Sequence, residues 1–253
     1  MAQLIGWCSV AMAPVLLGCG HGGMRVKVHH LLFVALLPGA AAAQVGERPP
    51  DILPARATTS LAASLDAAAA HPKHLWRDTA PTNPDGTVTA YIEIARGDRR
   101  KWEFDMRANV RAIDRMIPAA VGGYPVNYGF VPQTVSYDGD PFDALVLGPS
   151  LPAGRLVRGV VVGLMLMEDE KGVDSKVVLS RPGVDGRPLY ALTAEVQDRI
   201  GDYFNRYKQH EPNAFSRVPG WGSIAAGLAH VTKTHAFFRQ CQGRAGAPCS
   251  LAP

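Results

Sequence analysis

Val88-Thr89-Ala90-Tyr91-Ile92-Glu93-Ile94 places apolar residues at every second position, with Thr89, Tyr91 and Glu93 between them. Successive side chains of a strand point to opposite faces, so a period of two predicts a half-buried strand. Lys101-Trp102-Glu103-Phe104 is expected to be its hairpin partner. Strand-like runs continue at residues 144–147, 156–167 and 176–179, separated by Gly, Pro and Asp turns. After Pro188 the period changes. Val196, Ile200, Tyr203, Phe204 and Tyr207 share one helical stripe, and Ile224, Leu228 and Val231 form a second after Gly220-Trp221. Strands first and helices last predict an α+β fold, with a small barrel as the natural way to hide the sheet edges. No internal repeat is present.

Upstream of this region the composition differs. Residues 1–43 contain no Asp or Glu, and Met24-Arg25-Val26-Lys27 leads into the apolar Leu31-Leu32-Phe33-Val34-Ala35-Leu36-Leu37. A positive segment, an apolar segment and Ala41-Ala42-Ala43 predict a signal peptide over 1–43, cleaved before Gln44, with Met24 as the expected true start. Leu16-Leu17-Gly18-Cys19 offers a rival lipoprotein site, but no positive charge precedes it. The apolar stretch is short for a membrane span. Export, to the periplasm or beyond, is therefore expected. Residues 44–81 are rich in Pro and Ala and are expected to form a linker or loosely docked arm, leaving 82–253 as the functional domain. Cys241 and Cys249 are expected to close a disulfide in an oxidising compartment.

With 253 residues and 47% hydrophobic content, the chain can bury one good core. Its 26 basic and 22 acidic residues leave a formal charge of +4, too mild to make nucleic acid or an anionic membrane the main partner.

The chemistry concentrates in Asp138-Gly139-Asp140-Pro141-Phe142-Asp143. Three carboxylates crowd one turn, and like charges at short range raise one another's pKa unless a cation sits among them. Oxygen ligands without nearby Cys or His select a hard ion such as Mg²⁺, Mn²⁺ or Ca²⁺. An isolated Asp-Gly-Asp is more often a plain acidic turn. A calcium loop is excluded, since it needs an acid or amide at its fifth position and Gly at its sixth, where Phe142 and Asp143 stand. A second acidic cluster, Glu168-Asp169-Glu170 with Asp174, follows the long apolar strand. Around both lie anion-binding groups: Lys101, Arg115, Lys176, Lys208 and the tyrosines Tyr124, Tyr128 and Tyr207.

The order Ile92-Glu93-Ile94, Lys101-Trp102-Glu103, Asp114-Arg115, Tyr124-Pro125-Val126-Asn127-Tyr128-Gly129, Asp138 to Asp143, Asp169-Glu170 through Asp174-Ser175-Lys176, and Tyr203-Phe204-Asn205-Arg206-Tyr207-Lys208 resembles the soluble family I inorganic pyrophosphatases. The resemblance runs from about Thr87 to Trp221. It implies Mg²⁺-dependent hydrolysis of inorganic diphosphate, a five-stranded OB-like barrel with flanking strands and two C-terminal helices, and a homo-oligomer, a hexamer in bacterial members. Asp138, Asp143 and Asp174 would be the chief Mg²⁺ ligands, Asp169 and Glu170 further metal-site acids, and Glu93 and Glu103 supports for metal-held water. Asp140 would be the general base. Lys101, Arg115, Tyr128, Lys176, Tyr207 and Lys208 match phosphate-binding positions, and Tyr124 a supporting tyrosine. Residues 181–189 and the tail after Phe238 have no clear counterpart. An exported calcium- or phosphate-binding module, and a hydrolase for other polyphosphates, are the competing readings.

Overall fold

The computed structural model describes residues 52–53, 55–240 and 249–250. The expected signal peptide, its cleavage site and Cys241 lie outside these residues, so the disulfide does too. In chain order the elements are β1 (Ile52–Leu53), α1 (Ala55–Ala69), α2 (Leu75–Asp78), β2 (Val88–Ile94), β3 (Arg100–Asp105), β4 (Val110–Met116), β5 (Asn127–Phe130), β6 (Asp143–Leu147), β7 (Leu156–Asp169), β8 (Gly172–Val173), β9 (Lys176–Ser180), α3 (Ala194–Arg206), β10 (Ser216–Gly222), α4 (Ile224–Gln240) and β11 (Cys249–Ser250).

The main sheet runs β10-β7-β2-β5-β6-β9, and β9 pairs back onto β7, so five of its strands form a closed ring. Mixed α+β architecture follows as expected. Closure depends on β7, 14 residues long, which pairs β2 through its first four residues and β9 through its middle. A register shift between Val161 and Gly163 lets it bend between the two partners. On the opposite side, β5 crosses β2 very closely. A methyl group on Gly129 would lie 1.7 Å from the Tyr91 carbonyl oxygen, so only glycine fits there.

The strand 88–94 is not half-buried. All seven of its residues are buried, because both faces are covered. Val88, Ala90 and Ile92 join a cluster with residues of β6, β9 and α4; Ile94 joins one with α3; and Tyr91 faces a third, aromatic cluster. Closing a sheet on itself and packing helices outside it removes the solvent face that alternation in a strand normally implies. Residues 101–104 lie in β3, which pairs with β4 rather than with β2. The resulting hairpin is a separate two-stranded sheet, with Lys101 opposite Arg115.

Both C-terminal helices form. Thr193 caps α3, its hydroxyl accepting from the Val196 N–H, and the stripe through Ile200, Tyr203 and Phe204 is buried as expected. In α4 the stripe is different. Ile224 and Leu228 are exposed, and the helix turns Ala226, Gly227, His230, Val231, Thr234, Phe237 and Phe238 inward. Small residues on that face permit close approach to β7: a Cβ on Gly227 would sit 2.8 Å from the Gly163 carbonyl oxygen.

The segment read as a linker or loose arm is structured where it is described. Alanine has the strongest helix propensity, and an Ala-rich stretch after Pro54 becomes the 15-residue α1. Leu53, Ala57, Leu61 and Trp76 are buried with Phe130, Val135 and Tyr137 of the main body.

Candidate active site

Register brings the acidic residues together. β6 and β9 are parallel, with Ala144 opposite Val177, so Asp143 and Lys176 stand side by side at the same end of the sheet. Asp169 ends β7 and Asp174 lies just before β9, its N–H donating to the Met167 carbonyl at 2.9 Å. The turn before β6 adds Asp138 and Asp140. Gly139 adopts φ +98°, a conformation open to glycine. The Ser136 N–H donates to the Asp140 carbonyl at 2.7 Å, and the Asp140 N–H donates to the Asp138 carboxylate at 3.1 Å.

These carboxylates open onto a cavity of about 390 Å³ that Glu93, Glu103, Tyr128, Asp169, Glu170 and Tyr207 also line. Cations stand at its edge. Lys101 donates to Glu103 and to Asp114 (3.1 Å), while Arg115 is paired with Asp114 at 2.5 Å and Glu211 at 2.6 Å. Lys208, two residues past α3, holds Asp169 at 2.8 Å and Glu170 at 2.9 Å.

Two residues expected at the site do not line the cavity. Tyr124 is buried, packed between the rings of Tyr128 and Tyr203 at 5.4 and 5.1 Å. Lys176 lies beneath the floor, 1% exposed, donating to Asp143 and, at 2.8 Å, to Asp174. Burial alone would lower its pKa, and the two carboxylates more than reverse that. Glu93 is also buried, accepting from the Phe104 N–H at 2.6 Å; burial, and then Asp143, push its pKa well up. Conversely, Lys171 lines the cavity with its ammonium 3.9 Å from Asp140, and Asp114 joins Lys101 to Arg115. Lys171 was not singled out in the sequence, where it reads as a hairpin-tip lysine; Asp114 entered only in the Asp114-Arg115 motif, without a role, and gains its place when β4 pairs with β3.

Electrostatics favour a cation here. Enclosure and the charges of Asp140 and Asp143 raise Asp138 to about 7. Asp174 is raised to about 7 by burial, against the pull of Lys176 and with the push of Asp143. Asp140, whose side chain is exposed at the cavity, is raised as well by loss of surrounding water, opposed by Lys171. Carboxylates that destabilise one another's charge, with only oxygen donors, suit a hard divalent ion. Among the described residues no three acidic, His or Cys side chains already converge in coordinating geometry. Asp143 and Asp174 each give one carboxylate oxygen to Lys176.

Were Asp138 and Asp174 both to ligate a metal, protons would first have to leave them, which fixes the direction of a pH effect. Divalent-metal affinity is expected to strengthen as pH rises through about 7 and level off above it, where both groups are already charged. Calorimetric titration with Mg²⁺ from pH 6 to 9, without substrate, measures this; an affinity independent of pH would refute the involvement of these two acids. Without metal, Asp174 keeps its proton in the folded chain but not in the unfolded one between about pH 4 and about 7, so its contribution to stability falls as pH rises across that window.

An acidic floor under a rim of lysines and arginine, at one end of a closed sheet, offers counter-charges to a cation and a polyanion together. The family model described as inorganic pyrophosphatase matches residues 90–239. An inorganic pyrophosphatase of Saccharolobus solfataricus is 35% identical over 164 residues, covering 62% of this chain and 93% of the relative. That of Aeropyrum pernix is 41% identical over 151 residues, 56% of this chain and 84% of its own. A solved inorganic pyrophosphatase from Coxiella burnetii superposes with a TM-score of 0.58 at 35% identity, covering 63% of this chain and 99% of its own. The chain belongs to the inorganic pyrophosphatase family.

Proposed function

We propose that this chain hydrolyses inorganic diphosphate to two phosphates with Mg²⁺ held by Asp138, Asp143 and Asp174, aided by Asp169 and Glu170. The observation that carries this reading is the single cavity in which those carboxylates face Lys101, Arg115 and Lys208. When bound, Mg²⁺ supplies positive charge against the diphosphate and makes the attacking water more acidic. Asp140 takes the proton from that water. Its side chain reaches the cavity with about two-thirds of its surface accessible, and its raised pKa brings it closer to neutrality, where a general base is effective.

Lys101, Arg115 and Lys208 are each already paired with carboxylates, so diphosphate binds by exchange. Phosphoryl oxygens take over ammonium and guanidinium donors, and Glu103, Asp114, Glu170 and Asp169 are released towards metal or water. Tyr128 and Tyr207 add hydroxyl donors at the wall. Lys176 and Tyr124 act from below, Lys176 by holding Asp143 and Asp174 in place and Tyr124 by packing under Tyr128. Glu93, held by the Phe104 N–H, supports the water network with Glu103.

Three finer readings belong to the proposal. The closed ring corresponds to a five-stranded OB-like barrel, the chain is exported to the periplasm, and it assembles as a homo-oligomer. The ring closure through β7 and β9 supports the first and the leader-like residues 1–43 the second. The third rests on the family resemblance.

Phosphate release from diphosphate, tripolyphosphate and ATP, each with Mg²⁺ and with Ca²⁺ alone, tests the function. Diphosphate with Mg²⁺ is expected to be the fast reaction. Ca²⁺ is expected to fail, because its longer, looser coordination misplaces the water. Absence of phosphate release from diphosphate under Mg²⁺ would sink the proposal.

A further inference from the structure

The match to the pyrophosphatase family begins at residue 90, yet the residues before it reach both halves of the site. On one side, α1 packs on the acidic turn. A Cβ added to Gly139 would lie 2.7 Å from Ser60 Cβ and 3.1 Å from Ala57 Cα, so turn and helix are in direct backbone-level contact. The Trp76 indole N–H donates to the Thr134 carbonyl at 3.0 Å, and the Gln133 N–H donates to the Trp76 carbonyl at 2.9 Å. Thr134 in turn accepts the Phe142 N–H on its hydroxyl at 2.8 Å, which closes the loop that carries Asp138 and Asp140.

On the other side, the same segment grips the turn end of the hairpin whose far end carries Lys101 and Arg115. The Asn109 side chain accepts from the Leu75 N–H at 3.1 Å and donates to the Lys73 carbonyl at 3.0 Å. His74 bonds the Met106 carbonyl at 2.9 Å, and its ring meets Phe104 edge-on at 5.8 Å. β3 and β4 form a sheet of their own; among the described residues no ladder joins this hairpin to the ring, and its hydrogen bonds to β2 both go to Glu93, from the Phe104 N–H and the Arg111 guanidinium.

We propose that the segment from β1 to α2 is a positioning element of the active site, setting the Asp138–Asp140 turn against the Lys101–Arg115 hairpin. This rests on the pyrophosphatase reading for what the site does. Its residues touch no reacting atom. They act by holding metal-binding acids and phosphate-binding cations at one separation, where a displacement near 1 Å is enough to slow an in-line displacement greatly.

The test uses the full chain with Ser60→Leu, which adds bulk where α1 meets Gly139, Ser60→Ala as the conservative variant, and Trp76→Phe, which removes one N–H from the loop. Mg²⁺ binding is read by calorimetry without diphosphate, and kcat and KM by phosphate release. Ser60→Leu is expected to weaken Mg²⁺ about fivefold and to lower kcat about tenfold or more, with Ser60→Ala restoring both. Trp76→Phe is expected to move both in the same direction by about threefold. If Ser60→Leu does not fold, Trp76→Phe decides. Wild-type Mg²⁺ affinity and kcat in the folded variants would overturn the proposal. A wild-type chain that binds Mg²⁺ but releases no phosphate would instead count against the pyrophosphatase reading, leaving the calorimetric comparison to judge the positioning role.

Discussion

Asp140→Asn is expected to lower kcat by a factor of about 10² to 10⁴, the usual contribution of general acid–base catalysis, while Mg²⁺ binding is largely kept. The substitution is close to isosteric. Both hydrogen bonds that shape the turn at this position use the Asp140 backbone, its N–H to Asp138 and its carbonyl from Ser136, so the loop should keep its form. What is lost is the oxygen able to accept a proton next to the cavity. The pH profile separates this from a general disturbance: the wild-type acidic limb, governed by Asp140 and the acids around it, should change shape in the variant rather than only shrink. Turnover within a few-fold of wild type would remove Asp140 as the base.

Lys176→Met is expected to be the most disruptive single change for the metal-free protein. The ammonium is 1% exposed and serves Asp143 and Asp174 together. Removing one partner of a buried ion pair leaves uncompensated charge, at a cost of about 3 to 5 kcal/mol. The loss should be largest above about pH 7, where Asp174 is ionised even in the wild type, and smaller towards pH 5, where protonation removes its charge. Mg²⁺ should stabilise the variant more than the wild type, because the ion supplies the missing positive charge. Urea denaturation at pH 8.5 and 5.5, with and without Mg²⁺, measures all three effects. Equal unfolding midpoints for variant and wild type at pH 8.5 would show that Lys176 is not what keeps the acidic floor together.

Much of the candidate site was legible because its residues come in short contiguous motifs. Asp138 to Asp143 is one turn, Asp169 to Lys176 spans one hairpin, and Tyr207-Lys208 closes one helix. Local chain geometry alone then holds most of each group together. The depth of each side chain was not legible. Lys176 was expected to meet phosphate and Glu93 to support metal-held water, yet both are buried. Lys171 escaped notice, and Asp114 stood only as the neighbour of Arg115 in a motif, because the partners that give them their places, Asp140 and Lys101, are distant in sequence and meet them only through loop folding and strand pairing.

By itself the sequence determined the local elements: strands at 88–94, 144–147, 156–167 and 176–179, the α3 stripe, and the order of acidic and basic motifs that defines the family. These depend on side-chain period and turn chemistry over a few residues, which survive without any tertiary context. Tertiary structure decided what each element faces. It paired β3 with β4 instead of β2, closed the ring through β7 and β9, and buried β2 on both sides. It turned the small residues of α4 inward and left Ile224 and Leu228 outside. It also made a helix of an Ala-rich stretch and set it against Gly139. Alanine suits a helix anywhere, and whether that helix is a tether or a wall of the active site depends on the surface it meets.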